Sequence, residues 1–353
     1  MKIVITGGAG FVGSSLSISL KKKYPMYEIL AFDNLRRRGS ELSLRRFNDC
    51  GVLFEHGDIR NPEDFEILDG CDVLIDASAD PSVLSGIDSP VMPVISSNLM
   101  GTVNALEYAA KHQAKFIFMS TSRIYPVARL ESARFVELET RFQWNDDQDI
   151  LGISSRGVTE DFPLSGSRSF YGASKLASEL LIEEYQEHKG LSTIVNRFGV
   201  ISGPWQMGKV DQGVLVLWLA RHFFRKKLSY IGYGGQGKQT RDVLHIDDVI
   251  DLIDYQIHHF DVFEGIAHNV GGGLGVSFSL QELTGICAEV TGNQIEIESV
   301  MKNRPADLRI YISDNSKLQA LCGWTPQRSL LGLVTETFEW LKYHEQDLKK
   351  ILG

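Results

Sequence analysis

Residues 3–13 read IVITGGAGFVG, a β-branched strand that enters a glycine-rich turn and then the start of a helix. The glycines stand at Gly7, Gly10 and Gly13. The first permits a tight turn, the second lets a pyrophosphate approach the backbone, and the third lets the helix pack closely on the strand. The amides of Phe11 and Val12 would then lie at the positive end of the helix. The stretch predicts a βα unit that binds a dinucleotide.

The same strand–helix alternation continues beyond this unit. Short apolar runs predict buried strands at 2–6, 28–32, 52–55, 73–76, 115–120 and 191–196, and the clearest helical patterns cover 93–112 and 173–189. Such alternation produces right-handed crossovers. We therefore expect an α/β fold, a Rossmann-type doubly wound parallel sheet with a smaller mixed α/β C-terminal region.

The expected domain boundaries lie where the alternation of strands and helices stops. Residues 1–197 would form the NAD-binding domain, with 236–262 crossing back into it, and residues 198–235 and 263–353 would bind the substrate. Residues 129–169 are polar, acidic and rich in turns. Insertions of that length inside a domain are usually functional.

The residues after the second and third strands indicate which dinucleotide binds. Asp33 ends the second strand, where a carboxylate accepts hydrogen bonds from ribose hydroxyls and repels a 2′-phosphate. This favours NAD, with Asn34 beside the same ribose. Residues 36–38 are all arginine and could hold a phosphate, so NADP stays open. After the third strand, Asp58 could meet the adenine amino group, next to Ile59.

Composition excludes several classes of function. The chain has 353 residues, of which 43% are hydrophobic and 23% charged, as in ordinary globular proteins. Its net charge of −9 argues against binding of nucleic acid, so an anionic ligand must be held by local cations. No stretch approaches the roughly 20 apolar residues of a membrane helix, and the N-terminus lacks a signal-peptide core. Four scattered cysteines predict reduced thiols in a cytoplasmic protein, and no metal site.

Three side chains form a candidate catalytic group. Tyr171 and Lys175 are spaced to share one face of a helix, where an ammonium would lower the pKa of the phenol towards the working pH. Thr121 lies at the carboxyl end of the fifth strand, the edge at which parallel sheets bind ligands. Its hydroxyl could hydrogen-bond a reacting sugar oxygen.

Taken in order, these motifs resemble those of the extended short-chain dehydrogenase/reductase superfamily. The matching residues are Gly7-x-x-Gly10-x-x-Gly13, Asp33, Gly57-Asp58-Ile59, Asn98-x-x-Gly101-Thr102, Ser120-Thr121-Ser122-x-x-Tyr125 and Tyr171-x-x-x-Lys175. The resemblance implies that Tyr171 is the acid/base, Lys175 its partner and Thr121 an assisting hydroxyl. It also implies that Asn98, and the turn that holds Ala77 and Ala79, lie near the cofactor.

Further segments resemble one branch, the CDP-paratose 2-epimerase group. They are ETRF (139–142), GVTEDFP (157–163), RSFYG (168–172), DQG (211–213) and GKQTRDVLH (237–245). In dehydratases of the superfamily Asp-Glu directly follows the threonine, whereas Ser122 and Arg123 stand here beside the expected sugar. Asp80 replaces the glutamine of many relatives, which leaves the substrate open. Arg241, Arg304 and Arg309 would hold a diphosphate, since guanidinium groups suit phosphate oxygens.

The resemblance therefore implies a nucleotide-sugar epimerase of the CDP-paratose 2-epimerase type. A tightly bound NAD would oxidise the sugar transiently, and the hydride would return to the other face. The alternatives are a C4-epimerase or reductase acting on a UDP- or dTDP-sugar, and a non-catalytic NAD-binding sensor. A helical face between residues 93 and 112 could pair two subunits in a homo-oligomer.

Overall fold

The predicted alternation of strands and helices is present in the structure, a computed structural model that describes residues 1–209 and 212–353. The strands are β1 (Lys2–Thr6), β2 (Glu28–Asp33), β3 (Leu53–His56), β4 (Val73–Asp76), β5 (Lys115–Thr121), β6 (Phe135–Glu137), β7 (Phe142–Trp144), β8 (Ile153–Ser154), β9 (Gly157–Val158), β10 (Thr193–Phe198), β11 (Val200–Ser202), β12 (Leu228–Ile231), β13 (Thr240–His245), β14 (Ala267–Val270), β15 (Ser277–Ser279), β16 (Ile297–Val300) and β17 (Ile310–Tyr311).

The helices alternate with these strands, as the crossover pattern predicts. They are α1 (Phe11–Lys23), α2 (Leu42–Cys50), α3 (Pro62–Glu66), α4 (Met92–Ile95), α5 (Gly101–His112), α6 (Val127–Glu131), α7 (Phe170–Lys189), α8 (Val214–Phe223), α9 (Ile246–His258), α10 (Phe260–Phe263), α11 (Leu280–Thr291), α12 (Ser316–Cys322), α13 (Leu330–Tyr343) and α14 (Glu345–Leu352). A π-helical turn, Ser96–Met100, joins α4 to α5.

A seven-stranded sheet runs in the order β14-β10-β5-β4-β1-β2-β3. The pairs β1–β2, β1–β4, β2–β3 and β4–β5 are parallel. Its strands are buried because helices cover both faces: Ile3, Val4, Leu74 and Phe116 have no solvent exposure. From β1 the order runs through β2 and β3 to one edge and through β4, β5, β10 and β14 to the other, which confirms the predicted doubly wound parallel sheet.

Two helices differ from the predictions in ways that have a local reason. Helix α7 begins at Phe170 and not at Ala173, because Ser169 caps it: the Ser169 hydroxyl accepts from the Gly172 amide at 3.1 Å. The helix predicted over 93–112 is continuous, but its π-helical turn inserts an extra residue around Asn98. Both features bear on the site described below.

The chain divides into two compact units. The first contains residues 1–124, 169–197 and 250–268, and the second contains residues 125–168, 198–249 and 269–353. The returning segment of the first unit is thus 250–268, where the sequence predicted 236–262, and most of the polar insertion belongs to the second unit. The assignment of a cofactor domain and a substrate domain stays a prediction.

The second unit is built around a small mixed sheet. Strands β11, β13 and β15 follow one another, and β17 also pairs with β13. Two short hairpins, β6–β7 and β8–β9, come from the polar insertion. Arg141 fixes the first hairpin, since its guanidinium contacts both Glu282 and the Ser277 hydroxyl. The insertion is therefore ordered structure and not a free loop.

Among the described residues, no helix is both long enough and apolar enough to span a membrane.

Candidate active site

The glycine-rich turn has the shape of a phosphate cradle. Gly7 has φ of +64°, and a Cβ on it would lie 2.8 Å from the Ala77 carbonyl oxygen. A Cβ on Gly13 would lie 2.2 Å from the Gly7 oxygen, so helix and turn could not pack together. Around Gly10, by contrast, a Cβ would meet only the Gly7 oxygen, at 3.1 Å. That open side is where a pyrophosphate can approach.

The first turn of α1 leaves room for the same ligand. Gly10 is its N-cap and supplies no side-chain cap, and the first turn contains no acidic residue. The amides of Phe11, Val12 and Gly13 therefore lie at a helix N-terminus that an anion would satisfy. The residues present fit the phosphates of a dinucleotide.

Asp33 does more than the sequence predicted. Its carboxylate accepts from the Ala9 amide at 3.1 Å and from the Leu35 amide at 2.7 Å, so it braces the glycine turn from beneath. Burial raises the pKa of Asp33, and hydrogen bonds from Leu35, Ala9 and Gly10 oppose that rise. Its role towards a ribose stays a prediction.

Asp58 is already engaged by its own neighbours. Arg60 Nε donates to one carboxylate oxygen at 2.8 Å, and Asn34 Nδ2 donates to the other at 2.9 Å. The Arg60 hydrogen bonds hold the pKa of Asp58 far below its usual range. Ile59 is buried against Gly101. An adenine amino group would have to share the carboxylate with Arg60.

The turn after β4 is organised by a buried carboxylate. Asp76 accepts from the hydroxyls of Thr6, Ser78 and Thr102 at 2.7–2.8 Å. The turn that contains Ala77 and Ala79 is thereby held against the glycine loop, since a Cβ on Gly7 would touch Ser78. Ala79 is exposed and Ala77 is half-buried.

Asn98, fully buried in the π-helical turn, ties this loop to α7. Its side-chain oxygen accepts from the Asp80 amide at 2.7 Å, and its Nδ2 donates to the Asp80 carbonyl and to Ser174 Oγ, each at 3.1 Å. Asn98 therefore positions the helix that carries the catalytic candidates. Its proximity to a cofactor remains a prediction.

Thr121 and Tyr171 are brought together as expected. The Thr121 hydroxyl lies close enough to the Tyr171 phenol to lower its pKa, and both side chains are buried, Thr121 at the end of β5 and Tyr171 in the first turn of α7. Ser122 is also buried, and the Arg123 amide donates to Thr121 Oγ1 at 3.2 Å. The hydroxyl and the phenol are therefore buried neighbours, with the charges of Arg123 and Asp80 close enough to act on the phenol.

The sequence predicted a lowered pKa for Tyr171, and this direction was wrong: in the protein alone the pKa is raised. Burial raises the pKa of the phenol and outweighs the other influences. The hydrogen bond to Thr121 and the guanidinium of Arg123 lower it, and the Asp80 carboxylate raises it. The cation that acts on Tyr171 is thus Arg123, which the sequence had placed beside the sugar.

Lys175 lies one helical turn beyond Tyr171 and is 1% exposed. Burial lowers its pKa to about 8, against the influence of Asp76 and Glu179. Its ammonium lies 3.8 Å from the centroid of the Phe118 ring. With a pKa near 8, Lys175 is still mostly protonated at pH 7 but loses its proton far more readily than an exposed lysine.

A lysine in such a place should cost stability. Between pH 8 and its ordinary pKa of 10.5, the unfolded chain binds more protons at this position, so stability should rise with pH. We expect Lys175→Met to stabilise the protein by up to about 3 kcal/mol near pH 7 and to abolish that rise. Urea unfolding at pH 7 and 9.5 measures it, with Lys189→Met on the same helix as control. Equal midpoint shifts in both variants would contradict the assignment.

A buried ion pair beneath these groups was missed by the sequence analysis. Glu179 accepts from Arg197 Nε at 3.0 Å and Nη2 at 2.8 Å, and it also accepts from the Ser120 hydroxyl. All three residues are at least nine-tenths buried. Glu179 follows Lys175 by one turn of α7, and this spacing could have identified Glu179 as a neighbour of the catalytic candidates.

In the second unit, two of the three predicted diphosphate arginines are neighbours. Arg241 Nη2 lies 2.9 Å from an Asp307 oxygen, and Arg309 Nη1 lies 3.3 Å from Glu131. Arg241 also reaches the Arg309 carbonyl, at 3.4 Å. The Arg304 carbonyl accepts from the Asp307 amide, which places it in the same segment. Of the DQG segment, Asp211 lies outside the described residues.

One group of side chains among the described residues has ligand atoms close enough for a metal ion: His245, Asp247 and Glu336. His245 Nδ1 accepts from the Asp247 amide at 3.0 Å, so the ring proton belongs on Nε2, which faces Glu336 at 3.1 Å. Towards Glu336 the His245 ring therefore presents an N–H group and not the lone pair that a metal ion would need. The expectation of no metal stays a prediction.

Comparison with known proteins agrees with this geometry. The model of the NAD dependent epimerase/dehydratase family matches residues 3–271. The CDP-paratose 2-epimerase of Salmonella typhi is 31% identical over 96% of this chain and 99% of its own length. The UDP-glucose 4-epimerase of Halalkalibacterium halodurans is 26% identical over 98% of this chain and 96% of its own length.

Among solved structures, dTDP-glucose 4,6-dehydratase from Bacillus anthracis, in complex with NAD, superposes with a TM-score of 0.78. Its identity is 25%, and 99% of each chain is covered. The family match spans the glycine turn, Asp33 and the Thr121–Tyr171–Lys175 group, and it confirms NAD as the cofactor and the superfamily predicted from the motifs. The chain belongs to the NAD-dependent epimerase/dehydratase family.

Proposed function

We propose that this protein is an NAD-dependent nucleotide-sugar epimerase that inverts C2 of a CDP-linked deoxyhexose. The observation that carries the proposal is the buried Thr121–Tyr171 pair with Arg123 beside it, and with no carboxyl residue directly after Thr121, where the resemblance implies Asp-Glu for a dehydratase. The likeness to a CDP-paratose 2-epimerase over nearly the whole of both chains supports the choice of sugar carbon and base.

In this mechanism the protein moves one proton. Tyr171, as phenolate, takes the proton of the C2 hydroxyl during oxidation and returns it after the sugar has turned over. Thr121 hydrogen-bonds the same sugar oxygen in both directions. The glycine turn at Gly7, Gly10 and Gly13 would hold NAD, which would supply reversible hydride acceptance, so no net oxidation would occur.

The surroundings of Tyr171 serve that proton transfer. Because burial raises its pKa, the phenol alone would be a poor base at neutral pH. Arg123 and the Thr121 hydrogen bond act in the other direction and favour the phenolate. Lys175, with a pKa near 8, lies one turn away and can exchange protons with the polar surroundings of the site.

The second candidate is a C4-epimerase or a reductase acting on a UDP- or dTDP-sugar, and the likeness to a UDP-glucose 4-epimerase favours it. A non-catalytic sensor has little support, because it would need the glycine turn but not the buried Thr121, Tyr171 and Lys175 group.

The deciding experiment incubates the purified protein with CDP-, UDP-, GDP- and dTDP-sugars and assigns the products by NMR. We expect inversion at C2 of a CDP-deoxyhexose with no lasting change in absorbance at the NADH band. Inversion at C4 would select the second candidate, stoichiometric NADH consumption would select a reductase, and no product from any sugar would contradict both.

We further propose that two copies pair through the helical face between residues 93 and 112. Met100, on this face, is 49% exposed, and Met92, one residue before it begins, is 65% exposed, so a partner copy would cover both. We expect Met100→Arg to lower the mass seen by light scattering from that of a dimer to that of a monomer. Met26→Arg, at a residue 92% exposed on another surface, should leave it unchanged. A monomeric wild-type protein would contradict the proposal.

A further inference from the structure

The arginines expected to hold a diphosphate are already paired with acids of the same chain. Arg241 faces Asp307 at 2.9 Å, and Arg309 faces Glu131 at 3.3 Å. All four side chains are about three-quarters or more buried. At that degree of burial an ion pair is less screened than on an open surface.

These four charges surround one phenol, that of Tyr233. Burial raises the pKa of Tyr233, Glu131 and Asp307 raise it further, and Arg241 and Arg309 lower it. The Arg309 guanidinium also lies 4.1 Å from the centroid of the Phe135 ring and 5.1 Å from that of Tyr233. The rings fix the plane of this guanidinium, which leaves its edge for anions. We call Arg241, Arg309, Asp307, Glu131 and Tyr233 the arginine cluster.

The arginine cluster is electrically neutral as it stands, with two cations and two anions, in a chain of net charge −9. A diphosphate carries negative charge on both phosphates, and bringing it to a neutral cluster gains little Coulomb energy unless an acid moves away. An anion that replaces Asp307, by contrast, binds an Arg241 guanidinium group that is already held in position.

We propose that Asp307 is a resident anion that occupies the Arg241 guanidinium until a nucleoside diphosphate takes its place, and that it thereby sets the affinity of the site. The inference rests on the proposed function, because that function assigns a diphosphate to these arginines. Glu131 is held to its own arginine twice, since it also accepts a hydrogen bond from the backbone amide of Arg309, whereas the amide that Asp307 accepts from belongs to its chain neighbour Leu308.

Asp307 allows a conservative test of this competition. Its Oδ1 accepts from the Leu308 amide at 2.9 Å, and an asparagine retains that acceptor. Asp307→Asn therefore removes the charge and keeps the loop. The control is Asp147→Asn in the same unit, which removes one charge from an exposed pair with Arg134 at 2.8 Å.

The experiment measures the dissociation constant of CDP by titration calorimetry for the wild type and both variants. We expect Asp307→Asn to bind CDP about 3- to 10-fold more tightly, with a steeper dependence on salt, and Asp147→Asn to bind as the wild type does. Adding Arg241→Gln to Asp307→Asn should remove the gain.

Three results would overturn the proposal: unchanged affinity in Asp307→Asn, weaker binding in it, or no binding of CDP by any form. Weaker binding would mean that Asp307 holds Arg241 in place for the ligand. If Asp307→Asn unfolds, Asp307→Ser gives the same comparison. Product NMR judges the proposed epimerase activity separately, so failure of one proposal leaves the other standing.

Discussion

Replacement of Tyr171 by phenylalanine is expected to lower kcat for epimerisation by about 10²- to 10⁴-fold, the usual effect of removing a general acid/base. The phenol is a buried hydroxyl whose pKa is raised by burial, and Thr121 and Arg123 oppose that rise. The ring itself fills space in a buried position, so phenylalanine should leave the fold intact. Initial rates from the NMR assay, with KM measured alongside, provide the test.

A second tyrosine on the same helix gives the matched control. Tyr185 also has its hydroxyl engaged, by Glu107, but at the exposed side of α7. Tyr185→Phe should leave kcat within about 2-fold of the wild type, as expected for a surface change. Turnover near the wild-type rate in Tyr171→Phe, with normal binding of CDP, would show that the proton is handled elsewhere and would remove Tyr171 from the mechanism.

The parts of this site that the sequence predicts are those held by local spacing. Gly7, Gly10 and Gly13 lie within seven consecutive residues, and their spacing alone predicts the cofactor turn. Tyr171 and Lys175 lie one helical turn apart. The strand pattern also predicts the sheet, because buried parallel strands are short continuous apolar runs. In each case the residues that matter are close along the chain or repeat with a known period.

The parts that it could not predict depend on contacts distant along the chain and on burial. The Arg241–Asp307 pair joins residues 66 positions apart, and neither segment contains a sequence pattern that predicts this contact. The direction of the Tyr171 pKa was wrong because it depends on how completely the phenol is removed from water, which spacing does not give. Asp80 was noticed only as a departure from relatives, although its charge acts on Tyr171.

The buried pair under the active site carries the second large expectation. Glu179→Gln would leave the Arg197 charge buried without its carboxylate, and breaking such a pair costs about 3–5 kcal/mol. We expect that loss in the free energy of unfolding measured with urea. Glu339→Gln, in an exposed pair with Lys342, should change it by less than about 0.5 kcal/mol.

The double variant Glu179→Gln/Arg197→Met distinguishes the loss of a pair from the loss of packing. It removes both buried charges, while the glutamine can still accept the Ser120 hydrogen bond. Because replacing a whole buried pair by neutral groups is often nearly neutral, most of the lost stability should return. A double variant no more stable than Glu179→Gln would show that shape, and not the charge of Arg197, determines the cost. Recovery of stability without recovery of turnover would mean that the pair also positions Thr121 and Lys175, the neighbours of Ser120 and Glu179 along the chain and the helix.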